Sequence, residues 1–175
     1  MKNIIFLFFL IFIGCNQNRQ SKNNAEDSIK FTKAVQKFDA YKNKKINCLQ
    51  EFDEFFLTGT IAILCYTVSD CQSCVERGYK ILDYIQTTMS DFKVAAIVND
   101  SASETKRTKY QYAGKVFNDE KDILLKEFSY LFTPFIIIVN NGSFVDGYYV
   151  DNQREEDDDI DYIRGLLKNN KFSSK

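Results

Sequence analysis

Residues 69 to 74 read Ser-Asp-Cys-Gln-Ser-Cys and set Cys71 and Cys74 three positions apart in a chain of 175 residues that contains no histidine and no tryptophan. A thiol acts as a nucleophile or a metal ligand through its thiolate, and a free thiol loses its proton only near pH 8.5. On the first turn of a helix the first sulfur of such a pair meets unpaired N–H groups and the positive end of the dipole, both of which favour the thiolate. The second sulfur, one turn on, comes within bonding distance and can attack a mixed disulfide formed by the first. The pair is therefore a redox couple, half of a metal site, or a static disulfide. Without histidine, serine-histidine and cysteine-histidine hydrolysis is excluded.

Zinc is disfavoured by spacing. The gaps of 16, 5 and 2 residues between Cys48, Cys65, Cys71 and Cys74 do not form two paired knuckles, so no metal site is assigned. The acidic run Glu155 to Asp161 lacks the glycine and alternating ligands of a calcium loop and is expected at the solvated start of a last helix. No other cofactor is implied.

The compartment decides how cysteines behave. Ile4 to Ile13 is an unbroken apolar run of ten residues after a single lysine, followed by Gly14 and Cys15. It is shorter than the roughly 20 residues a membrane-spanning helix needs and has the pattern of an export signal over residues 1–14. Phe-Ile-Gly-Cys resembles the lipobox of bacterial lipoproteins, which implies cleavage before Cys15 and acylation of its thiol. Residues 15–28 carry no bulky apolar side chain after that cysteine and have the composition of a flexible tether. Loss of residues 1–14 leaves 22 basic against 24 acidic side chains, so no basic surplus points to nucleic acid. The expected location is the bacterial cell envelope, lipid-anchored and facing the periplasm, an oxidising space in which disulfides persist.

The elements that position the pair follow from periodicity. Apolar residues at three- and four-residue steps predict two short amphipathic helices in a 29–56 extension. Thr60 to Val68 forms an apolar, partly β-branched run of strand length, and Cys65 shares a face with Ile61 and Ile63, as a packed thiol would; Cys48 is a candidate to pair with it. Cys74, Gly78, Ile81, Leu82, Ile85 and Met89 then mark a helix that begins at the motif and buries the second sulfur. Residues 92–99 read as a second strand, Ser103 as the cap of a short helix, 115–117 as a short edge strand and 119–130 as a helix. Thr133-Pro134 introduces a third central strand, and Asn140-Asn141-Gly142 turns it into an antiparallel partner. A helix with Ile160, Ile163, Leu166 and Leu167 closes the chain, leaving 169–175 as a tail.

A buried strand before the motif, Cys-Gln-Ser-Cys opening a helix, Thr133-Pro134 ahead of an apolar strand, and a final hairpin plus helix together resemble the thioredoxin-like superfamily over residues 57–168. The extra helix and short strand before Thr133 look like those of membrane-anchored redoxins and TlpA-like lipoproteins. The resemblance implies an α/β fold with a central mixed sheet flanked by helices, and a cis bond at Pro134, the only proline. It also implies a thiol-disulfide oxidoreductase in which Cys71 attacks, Cys74 resolves, and Thr133 and Pro134 align the substrate. Its partners would be protein thiols or disulfides, a membrane redox protein, and the membrane itself through the lipid anchor. Phe132 and Tyr130 are candidates for an apolar groove beside the cysteines that takes an extended polypeptide.

The sequence also departs from the family. Asp70 stands where the family usually has an aromatic residue, and its charge opposes a thiolate on Cys71 unless it turns outward or caps the helix. Val68 occupies the position where the peroxidase pattern wants threonine, which weakens a peroxidase-like alternative. A non-enzymatic binding lipoprotein on the same scaffold is the other alternative, since one fold serves unrelated functions.

Overall fold

A computed structural model of the chain describes residues 38–100, 109–129, 131–152 and 156–169. Cys15, the first expected helix of the extension as far as Lys37, the helix near Ser103, and Tyr130 lie outside the described residues. Among those described, no helix is long and apolar enough to cross a membrane.

Five strands form one sheet: β1 (Thr60–Thr67), β2 (Phe92–Asn99), β3 (Lys115–Asn118), β4 (Phe135–Asn140) and β5 (Ser143–Tyr149). Their order is β3-β2-β1-β4-β5. β1 pairs parallel with β2 and β2 parallel with β3, whereas β4 runs antiparallel to both β1 and β5. β1 is thus central, buried along nearly its whole length, which is why it reads as a continuous apolar run rather than an alternation. The β4–β5 turn is Asn141-Gly142, with φ of 49° and 74°, the left-handed pair that a two-residue hairpin loop demands.

Alternation along β1 sends Ala62, Leu64 and Tyr66 to one face of the sheet. There they meet Val75, Tyr79, Leu82 and Ile85 of α1 (Gln72–Thr88) and Ile163 of α3 (Glu156–Asn169). Gly78 lies over Leu64: a Cβ there would come within 2.6 Å of a Leu64 methyl, so the missing side chain lets α1 settle on β1. Cys65 pairs in register with Phe135 and faces the other side, where Phe38 and Phe128 close over Phe135 and Phe144 at ring separations of 5.7 to 5.9 Å.

Three elements differ from the sequence expectations. The second helix of the extension is instead a pair of 3-10 turns, Asn47–Glu51 and Glu54–Leu57. Ile46, Leu49 and Phe52 recur every three residues, which suits a turn of three residues better than one of 3.6, and the Asp53 carboxylate then accepts from Phe55 N–H and restarts the chain. The helix expected from residue 119 is α2 (Ile123–Glu127). Asp119 accepts from the backbone N–H groups of Ile123 and Leu124 at 2.6 and 2.9 Å, and Asp122 takes a left-handed φ of 54°, so the intervening residues form a turn.

The acidic run is the third difference. Asp157 and Asp158 are exposed as expected, but Asp159 is wholly buried, bonded to Arg77 of α1 and to the Tyr148 hydroxyl of β5. The helical turn puts every third or fourth residue on the inner face, so one carboxylate of the run had to face the sheet beside Ile163. A buried ion pair of this kind adds little net stability, yet breaking it costs about 3 to 5 kcal/mol. Its effect is to fix α3 and β5 against the helix that starts with the cysteine motif.

Candidate functional site

The motif lies where central strand β1 gives way to α1. Cys71 occupies the N-cap position with non-helical backbone (φ −52°, ψ 118°), and its sulfur accepts from the Cys74 N–H at 3.4 Å. An N-cap side chain ordinarily offers oxygen to the first free N–H groups of a helix; here the acceptor is sulfur. The Ser73 hydroxyl lies 3.0 Å from the same sulfur, and the Asn152 side-chain amide donates to it at 3.8 Å. Bonds from Cys74 and then Ser73 hold Cys71 below the ordinary thiol range, because each donor stabilises the charged form.

Cys74 behaves oppositely. It is only 7% exposed, and burial foremost, then the bond to Cys71 and the negative charges of Cys71 and Asp151, pushes its thiol up to about 12. The Asn152 backbone pulls the other way. Two sulfurs three residues apart thus differ sharply in both access and acidity.

Asp70 explains how its charge sits so near Cys71. Its Oδ2 accepts from the Thr67 N–H at 2.6 Å and its Oδ1 from the Thr133 hydroxyl at 2.7 Å. Both oxygens are engaged. The carboxylate neither points freely into solvent nor caps α1; it ties the end of β1 to the segment that carries Pro134. The Thr133-Pro134 bond is cis, and the Pro134 carbonyl accepts from the Val150 N–H at 3.1 Å. Cys71 and Pro134 are each one residue from a partner in the Asp70–Thr133 bond, which brings the four residues Cys71, Cys74, Thr133 and Pro134 to one end of the sheet.

That end is also where exposed apolar side chains gather. Val68 is 60% exposed and Phe132 57% exposed, one in each of the two segments that Asp70 joins. The other cysteines lie apart from this chemistry. Cys48 and Cys65 are buried free thiols; burial raises Cys48 to about 12 and Cys65 well above its ordinary value. The Cys65 thiol donates to the Ile63 carbonyl at 3.8 Å, as a packed side chain does. Among the described residues no three cysteine or carboxylate side chains converge as a metal-ligand set.

Two contributors are invisible in the sequence pattern. Ser73 is inside the motif, but nothing in its type marks it as a donor to sulfur. Asn152 lies 81 positions from Cys71 and reaches it only because β5 returns beside the start of α1; a polar residue after a strand gives no cue to that.

A mixed sheet in this order, with the cysteine pair opening the helix after its central strand and a cis proline entering the neighbouring one, is the thioredoxin-like fold. Solved structures of that fold resemble this chain. A secreted disulfide oxidoreductase of Mycobacterium tuberculosis matches at a TM-score of 0.51 and 12% identity, covering 65% of this chain and 87% of its own. Peroxiredoxin Q of Xanthomonas campestris matches at 0.52 and 13% identity, over 66% of this chain and 81% of its own. No family model and no curated protein sequence matches the chain.

The contrast between the thiols has a direct readout. At pH 7 iodoacetamide is expected to alkylate Cys71 more than about a hundredfold faster than Cys74, Cys48 or Cys65, since the rate follows thiolate fraction and access. Peptide mapping after short exposure measures this. Equal labelling of Cys71 and Cys74 would show that the sulfurs are not differentiated.

Proposed function

We propose that the protein is a thiol-disulfide oxidoreductase acting on protein cysteines outside the cytoplasm, held to a membrane by lipid on Cys15. The observation that carries the reading is the exposed Cys71 sulfur, ringed by hydrogen-bond donors, beside a buried Cys74 whose thiol keeps its proton. In the reductive direction the Cys71 thiolate attacks one sulfur of a substrate disulfide. A Cys71–substrate disulfide forms and the other substrate sulfur leaves as a thiolate. Cys74 then gives up its proton and attacks the Cys71 sulfur; the Cys71–Cys74 disulfide forms and the substrate leaves with both electrons. The oxidative direction is the reverse, and a dithiol or disulfide partner at the membrane resets the pair.

The raised Cys74 thiol suits the second step. While Cys71 is a free thiolate, its charge helps to hold the Cys74 proton; once Cys71 is in a mixed disulfide that charge is gone, and Cys74 becomes easier to ionise. Val68 and Phe132 supply an apolar rim for an extended substrate, with the Thr133 backbone and Pro134 aligning it. A peroxidase reading has less support: Val68, three positions before Cys71, offers no hydroxyl.

Attack by Cys71 requires its base form, so the rate falls as pH drops through the Cys71 titration, which lies below the ordinary thiol value, and levels off above it. Full-length protein in detergent carrying Cys74→Ser is expected to accumulate a mixed disulfide with a partner, reversed by dithiothreitol and absent with Cys71→Ser. Equal recovery of the partner with both variants, unaffected by dithiothreitol, would favour a binding module. Mass spectrometry of Cys15 tests the anchor: an unmodified thiol there would refute it.

A further inference from the structure

We propose that Asn152, in the segment after β5, is a positioning residue for this exchange: its side-chain amide binds the Ser73 hydroxyl and so fixes that hydroxyl as a donor to the Cys71 sulfur. The inference rests on the thiol chemistry proposed above and concerns what prepares the attacking sulfur.

Three distances carry it. Asn152 Nδ2 donates to Ser73 Oγ at 3.2 Å, Ser73 Oγ lies 3.0 Å from Cys71 Sγ, and Asn152 Nδ2 itself is 3.8 Å from that sulfur. A hydroxyl has one proton and two lone pairs. Taken alone, the Ser73–Cys71 contact can run in either direction. With an Asn152 N–H occupying one Ser73 lone pair, the Ser73 proton is free to turn to the sulfur, and the two bonds polarise one another in the same sense. Ser73 then stabilises a thiolate on Cys71; without the amide, its rotor is free to turn to solvent.

Other groups around the sulfur do not duplicate this. Asp70, before the motif, is held by Thr67 and Thr133; Gln72 bonds Glu76 at 2.8 Å; the Cys74 N–H donates to the Cys71 sulfur directly and does not involve the Ser73 hydroxyl; Asp151 beside Asn152 acts on the Cys74 thiol. Because the Asn152 side chain is exposed, replacing it leaves the core intact.

The test is the pH midpoint of Cys71 alkylation, read by peptide mapping in full-length protein for wild type, Asn152→Ala, Ser73→Ala and the double variant. Asn152→Ala is expected to raise the midpoint and slow alkylation at pH 7 by roughly threefold to tenfold. Asn152→Asp, which offers Ser73 only acceptors, should slow it further. On the Ser73→Ala background the Asn152→Ala effect should largely vanish, because the amide acts through the missing hydroxyl. An unchanged midpoint in Asn152→Ala, or the same factor on both backgrounds, would overturn the inference. Alkylation needs no partner protein. A wild type that titrates as expected yet exchanges no disulfides would therefore refute the proposed function and leave the Asn152 role standing.

Discussion

Everything at this site depends on a sulfur standing in for the oxygen that usually caps a helix. The first N–H groups of α1 have no partners within the helix, and Cys71 Sγ accepts one of them. That bond costs nothing in the folded chain, because the donor would otherwise be unpaired, and it favours charge on the sulfur. The helix must then be held so that the cap geometry persists. Gly78 over Leu64 permits close contact with β1, and Arg77 joins the buried Asp159 on α3. Packing energy well away from the motif thus preserves an electrostatic arrangement within it.

Carboxylates serve as fasteners in three places. Asp159 joins α1, α3 and β5; Asp119 caps α2 with both oxygens; Asp70 bridges the segment after β1 and the residue before Pro134. The last is the most consequential, since it places a carboxylate next to a sulfur whose thiol lies below the ordinary range. Two hydrogen bonds to Asp70 satisfy its oxygens, and the Cys74 N–H, the Ser73 hydroxyl and the Asn152 amide meet the sulfur, so the local balance still favours the thiolate. The carboxylate acts as a polar bolt between two loops.

Much of this was legible in the chain. The apolar runs 60–68 and 135–139, the helical stripe from Cys74 and the Asn-Gly turn gave the sheet and its helix directly, since fully buried strands and two-residue hairpins leave strong local marks. Cys71, Cys74, Thr133 and Pro134 stand out by spacing and by resemblance, and the fold gathers them at one end of the sheet. The 47–57 segment is less legible: its steps of three residues favour 3-10 turns only weakly over an α-helix, and Phe55 and Phe56 of the second turn pack on Phe117 of β3. The charge of Asp70 is plain in the sequence, but its bond to a residue 63 positions away leaves no local trace. Ser73 and Asn152 depend wholly on tertiary contact.

The central claim is that Cys71 and Cys74 exchange electrons reversibly as a pair. Equilibrating the full-length protein in detergent across a series of reduced and oxidised glutathione ratios, then mapping its disulfides by mass spectrometry, tests this directly. The account predicts a single reversible two-electron transition, with the Cys71–Cys74 bond forming and breaking while Cys48 and Cys65 keep their state throughout. A pair that never forms that bond, or a transition that maps to Cys48 and Cys65 instead, would contradict it.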